Sequence, residues 1–402
     1  MRSPARSHNR HFAALAVRHR RFSTARTRFP ATAPSSIFNR GIRSVSYEAC
    51  YWTRAGGTVG LGDLAGSGFY SRALGVSADG SVIVGQGLST LGYEPFRWTA
   101  TTGVVGLGYF SGGEFDGMAL GVSADGLTIV GTAVSVAGNT GFRWSNASDG
   151  LIPLGDITGG SYLEVARWLS ADGSVIVGRF CNTAGRTQAV RWSSVGGLMP
   201  IGPTPPPGSA TDAQAVSSDG EVVVGYRLDG PGVEAFRWTE AGGLVGLGDL
   251  EGGDSSSMAL ATSANGSVVV GYAHMADGRR AFVWTAVDGM RDVSSVLEEL
   301  VTPRLTGWTL LSANGVSADG KTIVGEGTNP CGQAEAWVAR IDGPALPDCT
   351  PDVNGDAQVT VPDIFLFLSQ YFAGDTLADF NRDCETTVPD IFAFLSAWFA
   401  GC

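Results

Sequence analysis

Ala73-Leu-Gly-Val-Ser-Ala-Asp-Gly-Ser-Val-Ile-Val-Gly85 is one of six copies of a single pattern, and a chain that repeats itself folds into like units packed side by side. The other copies are Val122–Gly131, Leu169–Gly178, Val216–Gly225, Thr262–Gly271 and Val316–Gly325. Their turn residues are Asp79, Asp125, Asp172, Asp219, Asn265 and Asp319, at spacings of 46, 47, 47, 46 and 54 residues. A fixed period of this size marks a repeat architecture, and the blade of a β-propeller is the unit that fits it.

Each unit has four extended parts. An apolar Leu-Gly-Val-Ser segment leads into an Ala-Asp-Gly turn, where Asp can accept backbone N–H groups and Gly takes a positive φ. A β-branched run between glycines follows, the composition of a strand buried on both faces. After a variable polar loop comes an aromatic strand: Phe96-Arg-Trp98, Phe142-Arg-Trp144, Val190-Arg-Trp192, Phe236-Arg-Trp238, Phe282-Val-Trp284 and Ala336-Trp337. Period-two alternation places the aromatics on one face and the Arg on the other. The fourth part is Val59-Gly-Leu-Gly-Asp-Leu64, echoed at 105–110, 152–157 and 245–250, with weaker copies at 199–202 and 290–293. Four short strands per unit predict an all-β domain, a six-bladed propeller in which the N-terminal fourth strand joins the last three. The surplus strand at Trp52 keeps a seven-bladed ring as the alternative, and a parallel β-solenoid is the architectural runner-up.

The repeat body resembles the extracellular repeat family called HAF, best at Ala235-Phe-Arg-Trp238 and Ala281-Phe-Val-Trp284. The His of that family is missing from every unit, so the likeness is to the frame, over about three quarters of the chain. It implies an exported protein and supplies no mechanism.

Charge narrows the partners. The net charge is −11, yet residues 1–47 carry ten Arg and no acid, which leaves the remainder near −21. An acidic body excludes nucleic acid as a partner, and no apolar run reaches the length of a membrane span. Residues 1–47 read as a basic low-order segment without a secretory core, since Phe12–Val17 is too short and is flanked by Arg. The expectation here is a misassigned start. The domains that follow are a repeat domain over 48–343, a Pro-rich linker over 344–351 and a terminal module over 352–402.

Enzymatic chemistry has little to work with in the repeats. His274 is the one His outside the N-terminal segment, so a His-rich metal site is excluded and a Ser–His–Asp triad would need that residue. The Gly60–Gly66 segment lacks the P-loop Lys and recurs, which marks it as scaffold. The turn Asp also recurs, whereas an active site is unique. The carboxylates without an obvious counterpart are Glu94, Glu114, Asp116, Glu164, Glu234 and Glu326, and nothing in the sequence pairs any two as a glycosidase would need. The loops at 85–95, 131–141, 178–187, 225–234 and 271–280 are where a binding surface would sit.

The last segment carries the best-specified chemistry. Asp352-Val-Asn-Gly-Asp-Ala-Gln-Val-Thr-Val-Pro-Asp363 recurs 27 residues later as Asp379-Phe-Asn-Arg-Asp-Cys-Glu-Thr-Thr-Val-Pro-Asp390. Oxygen donors at positions 1, 3, 5 and 12, with a carbonyl at 7 and a water-mediated ligand at 9, follow the EF-hand order for Ca2+. The first set is Asp352, Asn354, Asp356, Gln358, Thr360 and Asp363; the second is Asp379, Asn381, Asp383, Glu385, Thr387 and Asp390. Position 6 is Ala357 or Cys384 where Gly is usual, and position 12 is Asp where Glu is usual. Each loop runs into a predicted helix, with Pro362 and Pro389 in the first turn and Gly374 and Gly401 at the stop. Ile364, Phe365, Leu368 and Phe372, with Ile391, Phe392, Leu395 and Phe399, form apolar stripes that predict a core. Tyr371 and Trp398 are the aromatics expected to face a partner.

One loop and one helix, duplicated, resembles a dockerin over residues 349–402, in the variant ending in Gly-Cys found in exported planctomycete-type proteins. That resemblance implies calcium-dependent folding and a cohesin-like or surface-anchoring partner. No Cys-x-x-Cys pattern occurs among the six cysteines, so zinc is not expected. A clasp between Cys349 and Cys402 is expected at the ends of the module, and disulfides with calcium modules point to an extracellular or cell-surface location. The combined expectation is a binding or structural propeller, with a glycan or protein ligand on its face, anchored through a calcium-loaded dockerin. The alternative is a polysaccharide hydrolase or lyase carried by the same dockerin.

Overall fold

The computed structural model describes the chain apart from residues 1–13, 18–35, 44–45, 54–56, 67, 148–149, 158–160, 182–184, 231, 299–306, 341–350, 352, 354–357, 373–377, 382–384 and 401–402. Strand β1 (Ala14–Val17) comes first, followed by a three-stranded sheet of β2 (Ser36–Arg43), β3 (Ser46–Thr53) and β4 (Gly57–Gly60). Two four-stranded sheets follow: β5 (Ser71–Val76), β6 (Ile83–Leu88), β7 (Tyr93–Thr99) and β8 (Gly103–Gly106), then β9 (Gly117–Val122), β10 (Thr128–Ser135), β11 (Gly138–Ser145) and β12 (Ile152–Pro153). The next sheet holds β13 (Asp156–Ile157), β14 (Ser161–Leu169), β15 (Val175–Cys181), β16 (Thr187–Ser193) and β17 (Gly197–Pro200). Strands β18 (Ala210–Val216), β19 (Val222–Asp229), β20 (Gly232–Thr239) and β21 (Gly243–Gly246) form one meander, and β22 (Gly253–Thr262), β23 (Val268–Met275), β24 (Gly278–Thr285) and β25 (Gly289–Asp292) form another. Helix α1 (Val293–Glu298) precedes β26 (Thr309–Val316), β27 (Thr322–Thr328) and β28 (Ala334–Arg340); helices α2 (Val361–Phe372) and α3 (Val388–Ala400) end the chain.

Every meander is antiparallel, which removes the parallel solenoid. Two features depart from the sequence reading. Strands β1 and β2 lie within the N-terminal segment expected to be of low order. Strand β4, expected to complete the last sheet, pairs with β3, and β28 takes β1 instead.

The repeat is built around a close approach that only Gly permits. Every one of the six first strands skips a residue at the same level of the pairing register: Leu74, Leu120, Arg167, Gln214, Leu260 and Asn314. Such a bulge re-aims a side chain and sharpens the local twist. At the same level, the strand-two Gly faces a first-strand carbonyl. A Cβ on Gly85, Gly178 or Gly225 would lie 1.8, 1.8 or 2.0 Å from the carbonyl oxygen of Arg72, Val165 or Asp212. The third-strand aromatic then covers the bare backbone, as Phe96, Phe142, Phe236 and Phe282 oppose Gly85, Gly131, Gly225 and Gly271. All four rings are fully buried.

The Ser-x-Asp-Gly turn closes on itself and reaches the next unit. Ser77 Oγ donates to Asp79 Oδ1 (2.7 Å) and accepts from the Val82 N–H (3.0 Å), while Ser81 N–H also donates to Asp79 (3.0 Å). Ser170–Asp172 and Ser217–Asp219 repeat this. Between units, N–H donates to C=O from Ala78 to Ala124, Ala124 to Ala171, Ala171 to Ser218, Ser218 to Ala264 and Ala264 to Ala318, at 2.8–3.0 Å. Equivalent residues thus form an arc of hydrogen bonds from sheet to sheet. Apolar cores fill the gaps between sheets, as where Val82 and Val84 of one unit meet Ile129 and Phe142 of the next. The segments expected to be variable loops are mostly hairpin: β10 and β11 are joined by Val136-Ala137 alone.

Two outcomes follow from this geometry. Gly225→Ala forces a methyl group against the Asp212 carbonyl and is expected to cost about 1–3 kcal/mol, read by urea unfolding. The N–H of Ser81 and the hydroxyl of Ser77 hold Asp79 below the ordinary aspartate range, and the Ser170 and Ser217 hydroxyls lead the same shift at Asp172 and Asp219. A folded pKa below the unfolded one stabilises above that range and is lost as pH falls through it. Thermal midpoints are therefore expected to drop on acidification, less steeply for Asp172→Asn.

Candidate functional site

The terminal module packs around a stacked ring pair, Phe367 on α2 and Phe394 on α3, with centroids 4.1 Å apart and planes 5° from parallel. Phe380 meets both rings edge-on, and Val353, Ile364, Leu368, Tyr371, Ile391, Leu395 and Trp398 surround them. The two halves therefore share one small core, with Trp398 Nε1 donating to the Thr360 carbonyl at 3.1 Å.

Of the twelve predicted calcium ligands, Asp352, Asn354, Asp356 and Asp383 lie outside the described residues. The other eight have distinct placements. Gln358 and Glu385 are exposed, Thr360 and Thr387 are half-buried, and Asn381 is exposed. Asp379 is buried, and Asp363 and Asp390 are fully so. Thr360 N–H donates to Asp363 Oδ2 and Thr387 N–H to Asp390 Oδ2, both at 2.8 Å, so each position-12 Asp reaches back to cap the first turn of its helix, as the acid of a capping box does. Asp390 Oδ1 also accepts the Asn381 N–H at 2.9 Å, which folds the second loop back on itself. Among the described residues no three acid, His or Cys side chains converge on one point. The donor set nevertheless suits a hard cation. Residues 352–402 hold eight acids and one base, Arg382, and buried carboxylates need a balancing charge.

The helix surfaces correct one expectation. Tyr371 and Trp398, expected to face a partner, pack against the core. Phe365 (69% exposed), Phe372 (79%), Phe392 (65%) and Phe399 (78%), expected in the core, face solvent instead. Phe365 and Phe392 are duplicates of each other, as are Phe372 and Phe399, so the same apolar pair is displayed twice.

On the repeat domain, the unrepeated side chains gather where the first strand of one sheet meets the next. Asp212 on β18 is 1% exposed. It accepts from Arg167 Nε (3.0 Å) and Nη2 (2.8 Å), from Arg179 Nη1 (3.2 Å) and from the Tyr226 hydroxyl (3.3 Å). Arg167 is the bulged residue of β14, and Arg179 follows the strand-two Gly of the same sheet. Glu164 adds a charge contact to Arg179 at 3.5 Å. Burial and the Asp212 charge push the Tyr226 hydroxyl up. Farther round, Arg279 lies 4.2 Å over the Tyr272 ring and donates to Glu326 at 3.1 Å. In three other sheets the bulged residue is Leu.

The acids singled out by sequence are dispersed. Glu94 and Glu234 are equivalents, with Glu48 as a third: Gly108 N–H donates to Glu94 Oε1 at 2.9 Å and Gly248 N–H to Glu234 Oε1 at 3.2 Å. The carboxylate ends of Glu48, Glu94 and Glu234 lie directly over Gly60, Gly106 and Gly246, the first Gly of the recurring Gly-Leu-Gly segment, where a Cβ would meet them at 2.1–2.2 Å. The shared spacing, two residues before the buried residue of the third strand, was the available signal. Glu114 and Asp116 are exposed. His274 lies on β23 rather than in a loop, with Nδ1 3.1 Å from Ser256 Oγ.

No family model matches the chain, and no curated protein sequence matches it. Solved structures are similar in shape. An oligogalacturonate lyase from Vibrio parahaemolyticus matches with TM-score 0.50 at 10% identity, over 80% of this chain and 90% of that one. The β-propeller domain of the Trilobed protease from Pyrococcus furiosus, reported with an open velcro topology, matches with TM-score 0.50 at 10% identity, over 76% and 90%. A prolyl endopeptidase matches with TM-score 0.52 at 11% identity, over 83% of this chain and 51% of that one, so the chain spans about half its length. These likenesses show a β-propeller fold. No helix among the described residues is long and apolar enough to cross a membrane.

Asp212→Ala leaves two guanidiniums facing each other across a buried gap. The expected loss is about 3 kcal/mol, at the lower end for a broken buried pair because both arginines keep some solvent access. Glu164→Gln, at a half-exposed contact, is expected to change stability by less than about 1 kcal/mol in the same unfolding assay.

Proposed function

We propose that the chain is an exported binding propeller held on a partner or surface by its calcium-loaded terminal module. The observation that carries this reading is the duplicated apolar display. Phe365 and Phe372 on α2, and Phe392 and Phe399 on α3, are each about two-thirds exposed or more. A small module that already has a buried aromatic core gains nothing by exposing four more rings to water, at roughly 25 cal/mol per Å2 of apolar surface. Exposed apolar patches of this kind mark docking faces. A cohesin-like domain with an apolar recognition surface is the occupant that matches the loop-and-helix duplication.

Calcium orders this face. Asp363 and Asp390 cap the two helices while belonging to the loops, so neutralising the loops fixes the helix starts. In the propeller, the Arg167–Asp212–Arg179–Tyr226 cluster breaks the repeat and is the candidate ligand face. Seven units are favoured over six. Tyr47 on β3 bridges Tyr70 in the same parallel sense as Tyr93 bridges Asp116, which supports reading β2, β3 and β4 as a unit preceding β5.

Calorimetry of the full chain is expected to give two calcium-binding events, and EGTA to raise amide exchange across α2 and α3 while leaving β5 to β25 protected. Absence of any calcium heat would remove the metal from this reading. Phe365→Ser with Phe392→Ser is expected to keep calcium binding but to abolish calcium-dependent capture of a panel of cohesin modules in biolayer interferometry. Unchanged capture, or none by the parent chain, would overturn the docking reading.

A further inference from the structure

One sector of the propeller turns its aromatics outward. Tyr47 on β3 is 40% exposed, Phe69 46%, Tyr93 on β7 41% and Phe115 48%. Tyr70 links the two units. Its ring meets Tyr47 with centroids 6.1 Å apart and planes at 82°, and meets Tyr93 at 5.3 Å and 67°. Phe115 continues the row and meets the Tyr109 ring edge-on at 5.0 Å. A Cβ on Gly92 would lie 2.2 Å from the Phe115 carbonyl oxygen, so the hairpin that carries Tyr93 is pressed against the segment that carries Phe115.

The frame does not require these rings. Tyr47 and Tyr93 are equivalents, each three positions before the third-strand residue that pairs with the fourth-strand Gly, Cys50 with Gly60 and Phe96 with Gly106. The other units hold Asn139, Thr187, Val233, Arg279 and Ala334 at this position. Phe69 and Phe115 are equivalents too, each four positions before the first-strand Ala, Ala73 or Ala119. Two aromatic positions thus recur one unit apart, in adjacent units. Exposed apolar groups gathered in this way mark a binding face. They stand at the same end of the strands as the Arg167 cluster. Tyr70 is two positions before Arg72, and Arg72 is the equivalent of Asp212, since each turns its carbonyl to a strand-two Gly.

Charge selects the ligand. Residues 57–117 hold five acids and two bases, Arg72 and Arg97. Asp63 Oδ2 accepts the Tyr70 N–H at 2.6 Å, and the exposed Asp116 bridges Tyr93. Acids so placed repel a polyanion. A point cation needs ring faces closing round it within about 6 Å, whereas these rings meet edge to face in a row. Apolar rings with hydroxyl edges, repeated one unit apart, suit a ligand that is extended, uncharged and itself repetitive.

We propose that the row of Tyr47, Tyr70 and Tyr93, extended by Phe69 and Phe115, is a binding site for a neutral polysaccharide. Pyranose rings lay their apolar C–H faces on the aromatic rings, and their hydroxyls meet the tyrosine hydroxyls and Asp116. The proposal rests on the binding-propeller reading and deepens it, and it does not depend on calcium in the terminal module.

Affinity electrophoresis of the full chain in gels containing hydroxyethylcellulose, mixed-linkage β-glucan or galactomannan tests it, with alginate as the anionic control. At least one neutral polymer is expected to retard the protein, and added salt to leave the retardation unchanged. Tyr70→Ala with Tyr93→Ala is expected to weaken binding roughly tenfold or more, the scale of losing aromatic anchors at a binding centre. Phe115→Ser, in the neighbouring unit, is expected to weaken it in the same direction and supplies the reading if the double variant does not fold. Neutral-polymer binding that these variants keep would overturn the site and leave the binding-propeller reading standing. Retardation by alginate alone would do the same, with the Arg167 cluster left as the ligand face. Retardation by no polymer would overturn the site and remove glycans from the binding-propeller reading with it.

Discussion

The whole repeat depends on a place where two backbones come too close for a side chain. The strand-two Gly lies under a first-strand carbonyl, and a methyl group there would overlap the oxygen at about 2 Å in all six units. That approach allows the bulge, and the bulge frees one first-strand residue in each unit from the pairing register. In five of the units a third-strand aromatic then seals the exposed backbone with its ring, and Val190 takes that place opposite Gly178. Strand, bulge and aromatic are therefore one device, and losing the Gly would undo all three.

The same device separates scaffold from site. Ser and Asp of the turn are consumed in closing the turn, and the turn backbones bind sheet to sheet along the arc from Ala78 to Ala318. Glu94 and Glu234 are consumed in holding the fourth strand. What is left over stands at the bulged positions and beside the strand-two Gly, where Arg167, Arg179, Asp212 and Tyr226 gather. A rigid frame thus varies its chemistry at a few fixed addresses without changing its packing. The terminal module follows the same economy: a stacked Phe pair makes the core, and duplicated Phe residues are spared for the surface.

Much of this was legible in advance. Six copies at a near-constant period, with glycines bounding β-branched runs, specify antiparallel meanders packed side by side. The loops of the last segment were legible as a duplicated donor pattern. Other features were not. The bulge depends on register between strands, which no single strand encodes. Glu94 and Glu234 looked unrepeated because three other units hold Thr140, Gln188 and Arg280 at the same position, which differ in chemistry and hide the match to Glu48 and Glu335. Helical spacing marked Phe365 and Phe392 as core, since an apolar stripe wider than the available neighbour looks the same in sequence as one that is fully covered.

The sequence by itself determined the unit, its strands and turns, and the oxygen-rich loops, because these rest on local backbone preference and side-chain chemistry within some twelve residues. Only the tertiary structure decided which strands complete which sheet, which acids are spent on the frame, which aromatics reach solvent, and that Tyr47, Tyr70 and Tyr93 stand in one row. Those outcomes depend on contacts between residues tens to hundreds of positions apart, where geometry, rather than composition, selects the partner.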